Sequence, residues 1–309
     1  MLSRPLLRFV RDDRQIRFMR GRYAGLLVSA LLSIASVILF CTPGLNLGLD
    51  FRGGIIVETH SPAPEEPAHM RHILEQARIK AASVQAFGSP HDVRIAINLP
   101  QGDNAEHQTQ QLVDHVKQAI AQALPGTQIQ RADAVGGSVS SELFRDGVLA
   151  LAFSLGMILI YIWFRFEREF ALSAVITLIL DLTKTIGFLV VTGFEFDLVM
   201  VAALLTILGY STNDKVVVYD RVRENLRKYR TMPLKELLDL SINETLNRTL
   251  GTSMTVFLAA LPLALFGGST LTGFATVMLF GIVVGTSSSI FIAAPLLLLM
   301  GQKRLRKGA

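Results

Sequence analysis

One stretch of the chain, residues 208–225, reads LGYSTNDKVVVYDRVREN, and the interpretation of the fold depends on it. It continues the apolar run of residues 198–208, yet Asp214 and Lys215 come before its apolar residues have ended. A charge near the middle of a bilayer costs about 2.5–3.5 kcal/mol on insertion scales. If this stretch crosses a membrane, its charged residues need a partner or a function.

The composition of the whole chain indicates that most of it lies in a membrane. Of the 309 residues, 50% are hydrophobic and only 18% are charged, and the mean hydropathy is +0.43. These values predict a membrane protein with one water-exposed part. The apolar runs long enough to cross ~30 Å of hydrocarbon are residues 23–40, 147–164, 171–191, 198–219, 250–266 and 274–300.

Lys and Arg are concentrated in one set of connections. They occupy the N-terminal segment 1–22, the link at 165–168, the segment 220–235 and the tail 301–309, whereas the links GFEFD (193–197) and GGSTLT (267–272) contain neither. Because these cations resist translocation, we expect both termini to be basic and cytoplasmic. The net charge of +5 therefore reflects membrane topology and lipid contact, and no nucleic acid partner is predicted.

The polar region between the first two predicted spans has an alternating pattern. The segments GIIVETH (54–60), SVQAFG (83–88), VRIAINL (93–99) and TQIQRAD (127–133) read as strands, and residues 65–82 and 106–124 read as helices. This order predicts a ferredoxin-like α+β domain outside the cytoplasm, within residues 41–146. The expected fold class is a polytopic α-helical membrane protein with six transmembrane helices (23–40, then five within 147–300) and this extracytoplasmic domain between helices 1 and 2.

No cofactor or metal is predicted. His69 and His72 have helical i, i+3 spacing and, with Glu66 or Glu75, have donor types that bind zinc, but a solvated helix face is the preferred interpretation because the spacing dictates no further ligand. The glycine-rich segment GLNLGLDFRGG (44–54) lacks the Lys-Ser/Thr of a phosphate loop and follows no strand. Its glycines instead permit tight turns as the backbone leaves the membrane.

Four charges interrupt the third and fourth spans: Asp181, Lys184, Asp214 and Lys215. Lys184 follows Asp181 by one helical turn, so these two can pair, and Lys215 can extend toward the cytoplasmic headgroups. Asp214 lies six residues before Asp220, which at ~1.5 Å per residue is ~9 Å inside the end of the span. A carboxylate in a polar seam between helices can take up and release a proton, so Asp214 is the first candidate for proton coupling. Asp181 is a second candidate, with a structural ion pair as the alternative.

The last predicted span contains a small-xxx-small pattern, GIVVG, from Gly281 to Gly285, followed by Thr286 and three serines. Such patterns allow helices to approach closely and to form interhelical hydrogen bonds. Gly281 and Gly285 are therefore predicted helix-packing residues.

Several longer motifs resemble one family. GLDFRGG (48–54), VGGSVSSEL (135–143), GYSTNDKVVVYDRVREN (209–225), SINETLNRTLGTS (241–253) and FGIVVGTSSSIFIAAPLLL (280–298) occur in the order and spacing of the SecF family. SecF is the smaller subunit of the SecD–SecF complex, an accessory of bacterial protein export. The resemblance covers nearly the whole chain. It implies a non-enzymatic inner-membrane protein of the resistance-nodulation-division superfamily, whose members use the proton gradient to drive transport.

The resemblance also implies roles for single residues. Asp214 matches the aspartate of the family motif GYSxND, taken to sense or carry protons. Arg248 matches an arginine taken to pair with a membrane carboxylate of SecD, and a positive-inside anchor is the alternative. The family usually has His-Asp where this chain has Leu180-Asp181, and a small polar residue where it has Lys215. A cation beside Asp214 would stabilise its charged form and oppose proton uptake.

The partners implied by the resemblance are SecD, the SecYEG channel, YajC and unfolded exported polypeptides. Because the sequence contains no ATP-binding motif, the proton gradient is the expected energy source. Two other functions stay open. One is half of a proton-driven small-molecule exporter, which predicts a large external domain with an apolar ligand pocket. The other is a non-transporting assembly scaffold, in which the membrane charges are structural pairs.

Overall fold

The computed structural model describes residues 15–79, 81–87, 89–97 and 105–300. The basic N-terminus expected over residues 1–22 is thus described only from residue 15, and the tail expected at 301–309 lies outside the described residues. The helices are α1 (Arg22–Cys41), α2 (Leu49–Arg52), α3 (Pro67–Gln76), α4 (Ala105–Ala123), α5 (Gly137–Arg165), α6 (Arg168–Thr192), α7 (Leu198–Lys228), α8 (Leu234–Phe266), α9 (Gly268–Ser288) and α10 (Ala294–Met300), and the strands are β1 (Gly54–His60), β2 (Ala81–Phe87), β3 (Ser89–Ile97) and β4 (Gln128–Val135).

Five helical segments of the described chain are long and apolar enough to cross a membrane: α1, residues 139–165 of α5, α6, α8, and residues 271–300 of α9 and α10. Helix α7 has 31 residues but is not among them. Its polar residues from Gly209 onward, which include Asp214 and Lys215, lower its hydropathy. The protein is therefore a helical membrane protein with several apolar helices, and α7 as a sixth span remains a prediction.

Helices α7 and α8 extend well past the predicted spans 198–219 and 250–266. Polar contacts join the two extensions. Arg221 Nε donates to Glu244 Oε2 at 2.7 Å, and Asn225 Nδ2 donates to the same oxygen at 2.7 Å. The polar ends of these helices thus form a small helical hairpin of their own.

The last apolar segment is not a straight α-helix. Residues Ser289–Ala293 form one π-helical turn between α9 and α10. The hydroxyl of Ser173 donates to the carbonyl of Ala293 at 2.9 Å, and Tyr219 donates to the Ser173 hydroxyl at 3.0 Å. Such turns leave backbone groups that need outside partners and are frequent at functional sites. This one follows Ser288 directly.

The chain divides into two compact units. The membrane unit contains the described residues up to Asn46, Ala150–Phe194 and those from Val199 onward, and the sheet unit contains Leu47–Leu149 with Glu195–Leu198. An aromatic group of Phe166, Phe170 and Tyr219, with ring centroids 5.2–6.0 Å apart, lies in the core of the membrane unit.

The sheet unit contains one four-stranded sheet of order β2-β3-β1-β4, and every neighbouring pair is antiparallel. Alternation along β1 places Ile55 and Val57, both 0% exposed, in the core. Residues of α3 and α4 complete that core. Its buried members are Ile55, Val57, Met70, Leu74, Ile79, Val84, Val93, Ile95, Ile97, Val113, Val116 and Ile120.

Helix α3 is shorter than the predicted helix 65–82, because it ends at Gln76. Arg78 adopts a left-handed conformation with φ of 59°. Its N–H donates to the carbonyl of Glu75, and the N–H of Ile79 donates to Leu74. This is a Schellman arrangement, which satisfies the last carbonyls and stops the helix. The sequence gives little warning of it, since arginine rarely takes the position that glycine usually occupies.

Candidate functional site

Asp181 is the centre of a buried charged cluster between α6, α7 and α9. Its Oδ1 lies 3.3 Å from Lys184 Nζ, and its Oδ2 lies 3.0 Å from Lys215 Nζ. Asp181 is 1% exposed and Lys215 is 0% exposed. One carboxylate therefore bridges two ammonium groups inside the membrane unit.

Two serine hydroxyls complete the cluster. Ser211 of α7 and Ser288 of α9 donate to Asp181 Oδ2 at 3.0 and 2.6 Å. Lys215 Nζ also contacts both hydroxyls. Buried charges are tolerated when they are paired and their remaining hydrogen-bonding capacity is satisfied. Two ammonium groups and two hydroxyls thus occupy the hydrogen-bonding capacity of the Asp181 carboxyl group.

The direction of Lys215 follows from the helical geometry of α7. Consecutive residues of a helix are separated by about 100°, so Lys215 and Asp214 point to different neighbours. Ser211 and Lys215, four residues apart, share the face that meets Asp181. The interpretation that Lys215 extends toward the headgroups is wrong, because this side chain is fully buried and bound to Asp181. Lys184 pairs with Asp181 as their i, i+3 spacing predicts.

Asp214, also 1% exposed, lies in a different environment. Ser253 of α8 and Thr286 of α9 donate to its Oδ2 at 3.4 and 3.3 Å, and these hydroxyls lie 2.7 Å from each other. Among the described residues, Asp214 has no cation within ion-pair distance. A hydroxyl both donates and accepts, so these groups can hydrogen-bond the carboxylate and the neutral carboxylic acid alike.

A hydroxyl without a hydrogen-bond partner among the described residues lies one helical turn from Ser253. The hydroxyl of Thr249 is buried and has no hydrogen-bond partner in the described part of the chain. Thr249 precedes Ser253 by four residues, so both hydroxyls lie on the same face of α8. The face of α8 that meets Asp214 is therefore polar over at least one turn.

Close packing of α9 on α7 brings these hydroxyls to the two carboxylates. A Cβ on Gly281 would overlap the side chain of Ile207, and one on Gly285 would lie 2.9 Å from Ser211 Oγ. With only hydrogen at these two positions, α9 approaches closely enough for Ser288 to reach Asp181 and for Thr286 to reach Asp214.

Arg248 does not join either group. Its side chain is exposed, and its guanidinium forms no ion pair with any of the described residues. Exposure at this position agrees both with a positive-inside anchor and with a partner on another chain.

The histidines of the sheet unit do not form a metal site in the described residues, where no group of three or more His, Cys, Asp or Glu is arranged to hold an ion. His69 Nδ1 lies 2.6 Å from Oε1 of Glu65, a residue that precedes α3. That contact gives His69 a partner that the i, i+3 spacing with His72 did not indicate.

Sequence reasoning missed Ser211 and Ser253 as members of the site. The available signal was weak, since hydroxyl residues in membrane spans often bond only to the carbonyl four residues earlier. Ser211 lies three residues before Asp214 and four before Lys215, so helical spacing indicated a shared region but not which partner helix it meets.

Two family descriptions match the chain. "Protein export membrane protein SecD/SecF, C-terminal" matches residues 115–303, and "SecD/SecF GG Motif" matches residues 38–60. The first covers Asp181, Lys184, Asp214, Lys215 and Arg248. The second covers the glycine-rich segment and strand β1.

Named relatives are similar over nearly the whole chain. A protein translocase subunit SecF from Rickettsia bellii is 38% identical over 302 residues, which cover 97% of this chain and 98% of the relative. A protein translocase subunit SecDF from Brucella abortus is 43% identical over 305 residues, 96% of this chain but only 39% of that longer protein. The match to the second relative thus lies within a protein that carries a further large part.

The fold is similar to a solved structure. The crystal structure of SecDF from Thermus thermophilus, described as a translocon-associated membrane protein, matches with a TM-score of 0.82 and 31% identity. The match covers 94% of this chain and 39% of that one. The similarity therefore extends from the sequence motifs to the arrangement of the elements.

Proposed function

The chain belongs to the SecD/SecF family of protein-export membrane proteins, and we propose that it couples the proton gradient to the movement of exported polypeptides, together with a SecD partner. Membership of this family makes the chain a multi-pass protein of the bacterial inner membrane and a component of the protein-translocation machinery. The energy source, the residues that carry the proton and the partners are the proposed part.

The observation that carries the proposal is the environment of Asp214. This carboxylate is buried, its neighbour Lys215 is bound to Asp181, and the hydroxyls that contact Asp214 suit both of its protonation states. A titratable group in the membrane interior without a fixed counter-ion is typical of a proton relay. Asp214 is therefore the proposed site of proton uptake and release.

Asp181 takes part in the coupling as a fixed charge. When Asp214 is ionised, the negative charges of the two carboxylates balance the positive charges of the two ammonium groups in the membrane interior. Protonation of Asp214 leaves an excess positive charge in a medium of low dielectric constant, where charge imbalance is costly. The imbalance favours another packing of α6, α7 and α9, and this change of packing is the proposed coupling step.

The topology completes the proposal. Helix α7 is the sixth span, both termini face the cytoplasm, and the sheet unit is a ferredoxin-like domain outside it. The absence of Lys and Arg from residues 193–197 and 267–272 supports this orientation. The exported polypeptide would then meet the sheet unit after it has crossed the membrane.

SecD is the partner with the best support. The Brucella relative is named SecDF, and this chain matches 39% of its length, so the remainder is long enough for a second half. Transporters with internal repeats place their sites between two such halves. Exposed Arg248 is proposed to pair with a carboxylate of that half. Contacts with the SecYEG channel, YajC and lipid are proposed on family membership alone.

The test is translocation of a secretory preprotein into inverted membrane vesicles with an imposed proton gradient and constant ATP. With Asp214→Asn we expect the gradient-dependent part of translocation to disappear while protein level and the ATP-dependent part stay native. Unchanged gradient dependence would exclude Asp214 as the proton carrier and favour the scaffold function.

A further inference from the structure

The charged ends of α5 and α7 enclose a groove in the membrane unit. Its volume is about 510 Å³, which is within the ~300–1,000 Å³ range of small-molecule sites. Four cations and two carboxylates line it, so the lining carries an excess of positive charge. The lining residues are Arg165 of α5 and Asp220, Arg223, Glu224, Arg227 and Lys228 of α7.

One face of α7 forms a wall of this groove. Residues 220, 223, 224 and 227 follow the i, i+3, i+4, i+7 spacing of a helical face. Two contacts join this face to the end of α5. Arg165 Nη2 donates to both carboxylate oxygens of Asp220, at 2.9 and 3.0 Å, and Arg223 Nη1 donates to the carbonyl of Arg165 at 3.4 Å. The two walls of the groove are therefore held together.

Both carboxylates of the lining already have a cation as partner. Asp220 is bound to Arg165, and Glu224 Oε2 lies 2.6 Å from Nη1 of Arg221. The contact with Asp220 engages Nη2 of Arg165, whereas a guanidinium has five N–H donors. The two cations in the last turn of α7 are exposed. The groove thus presents N–H donors and positive charge to an anion.

The groove lies at the end of an apolar helix. No charged residue occurs between Asp146 and Arg165, and the helical stretch between them is about 27 Å long at ~1.5 Å per residue. This length is close to the ~30 Å thickness of the hydrocarbon core. We therefore expect Arg165 to lie at the level of the lipid phosphates.

An apolar stripe runs along α5 toward the groove. Phe153, Met157, Ile160 and Phe164 follow helical spacing and are all exposed, Phe164 to 91%. Phe164 directly precedes Arg165 of the groove. A soluble anion would contact the charged groove alone, whereas a phospholipid would contact both surfaces, because it carries apolar chains next to a phosphate. The combination of the two surfaces favours a lipid.

We propose that the groove binds the headgroup phosphate of an anionic phospholipid whose acyl chains lie along the stripe of residues 153–164. Guanidinium groups bind phosphate oxygens in a bidentate manner, and lysine adds a point charge. Basic pockets at the ends of membrane helices bind anionic headgroups in this way. A zwitterionic lipid has a cation beside its phosphate, and the positive lining disfavours it. The proposal goes beyond proton coupling and does not depend on Asp214.

Native mass spectrometry of the full chain in neutral detergent tests the proposal. Dioleoylphosphatidylglycerol and dioleoylphosphatidylcholine have the same acyl chains, so the ratio of their apparent affinities reports on the headgroup alone. We expect the native chain to prefer phosphatidylglycerol. Arg227→Gln with Lys228→Gln should lower this affinity by roughly fivefold for each charge removed, and the affinity for phosphatidylcholine should not change.

Two further variants separate the groove from general surface charge and from folding. Arg230→Gln with Lys235→Gln removes the same charge at exposed residues that do not line the groove, and the affinity for phosphatidylglycerol should stay near the native value. Glu224→Gln removes a negative charge from the lining and should strengthen binding of phosphatidylglycerol. Damage to the fold would weaken binding, so it cannot produce this gain.

Three results would overturn the proposal. Equal affinity of the native chain for the two lipids would exclude headgroup recognition. An equal loss in the two double variants would assign binding to surface charge instead of the groove. Soluble glycerol phosphate forms a further arm of the experiment, and if it displaces phosphatidylglycerol at equal concentration, the ligand is a soluble phosphate and not a lipid. The assay contains no proton gradient, so its outcome is separate from that of Asp214→Asn.

Discussion

Lys215 Nζ lies 3.0 Å from Asp181 Oδ2 on the neighbouring helix, although Lys215 follows Asp214 directly in the chain. The cation therefore forms its ion pair with Asp181 and not with the carboxylate beside it in sequence. The family resemblance had suggested that a lysine at this position opposes proton uptake at Asp214. In the structure Lys215 is bound to Asp181, whereas the hydroxyls of Ser253 and Thr286 contact Asp214.

Loss of Lys215 should destabilise the membrane unit. With Lys215→Met, Asp181 keeps only Lys184, and breaking a buried ion pair by removing one partner costs about 3–5 kcal/mol. Thermal unfolding in detergent should show this loss. The exposed Lys235 supplies the control, since Lys235→Met should leave the unfolding midpoint near the native value.

The double variant Asp181→Asn with Lys215→Met separates pairing from packing. Residues in direct contact have non-additive effects, so the double variant should lose less stability than the two single variants together. Additive losses would show that the 3.0 Å contact contributes no coupling energy.

Removing a hydroxyl beside Asp214 should impair coupling more than folding. Thr286→Val keeps the shape of the side chain but removes the donor to Asp214 Oδ2, so the gradient-dependent part of translocation should fall while protein level stays native. Thr286→Ser keeps the hydroxyl and should retain activity. Thr255→Val, at an exposed threonine of α8 whose hydroxyl donates to the carbonyl of Gly251 in its own helix, should also retain activity. Equal loss in the valine and serine variants would assign Thr286 to packing alone.

Acid should weaken one contact of the sheet unit. The hydroxyl of Ser89, and then His60, hydrogen-bond the Asp92 carboxylate and lower its pKa below the ordinary value. A pKa that is lower in the folded state contributes stability above the unfolded pKa of about 3.9, and this contribution is lost as pH falls through the folded value.

Asp92→Asn should therefore be less thermostable than the native chain at neutral pH, and the difference should shrink below about pH 4 as the native carboxylate is protonated. Melting curves over a pH series measure this. Asp114→Asn, at an exposed carboxylate of α4, provides the reference. A difference that does not depend on pH would contradict the assignment to the ionised carboxylate.

The topology is testable with the single cysteine of the chain. Cys41 is exposed at the end of α1 and should react with a membrane-impermeant maleimide from outside intact spheroplasts, because the first span enters from the cytoplasm. In a Cys41→Ser chain, Thr231→Cys lies between α7 and α8 and should react only after permeabilisation. The reverse pattern would invert the proposed orientation.

The charged residues of the site were visible in the sequence, but their partners were not. Helical spacing was enough for the pair of Asp181 and Lys184, since it depends on one helix alone. The direction of Lys215 depends on which helix lies opposite each face of α7, and in the structure α6 with Asp181 lies opposite the face that carries Lys215. Local periodicity contains no such information.

Similar limits apply to the elements of the fold. Alternation in GIIVETH predicts strand β1 because its inward positions, Ile55, Val57 and Thr59, are all β-branched. The predicted end of α3 was wrong because Arg78 takes a left-handed conformation, which arginine rarely adopts. The contact between Gly48 and Phe196 was missed for a different reason: the glycines of residues 44–54 indicated turns, but nothing local connects them with Phe196.

The central claim is that Asp214, and not the lysine-bound Asp181, takes up the proton, and infrared difference spectroscopy of the membrane-embedded complex over a pH series tests it directly. A protonated carboxyl group gives a carbonyl band that a carboxylate lacks. Among the carbonyl bands that appear on acidification, we expect one to vanish in Asp214→Asn and to persist in Asp181→Asn. A band that survives in Asp214→Asn but is lost in Asp181→Asn would contradict the account and assign the proton to the lysine-bound carboxylate.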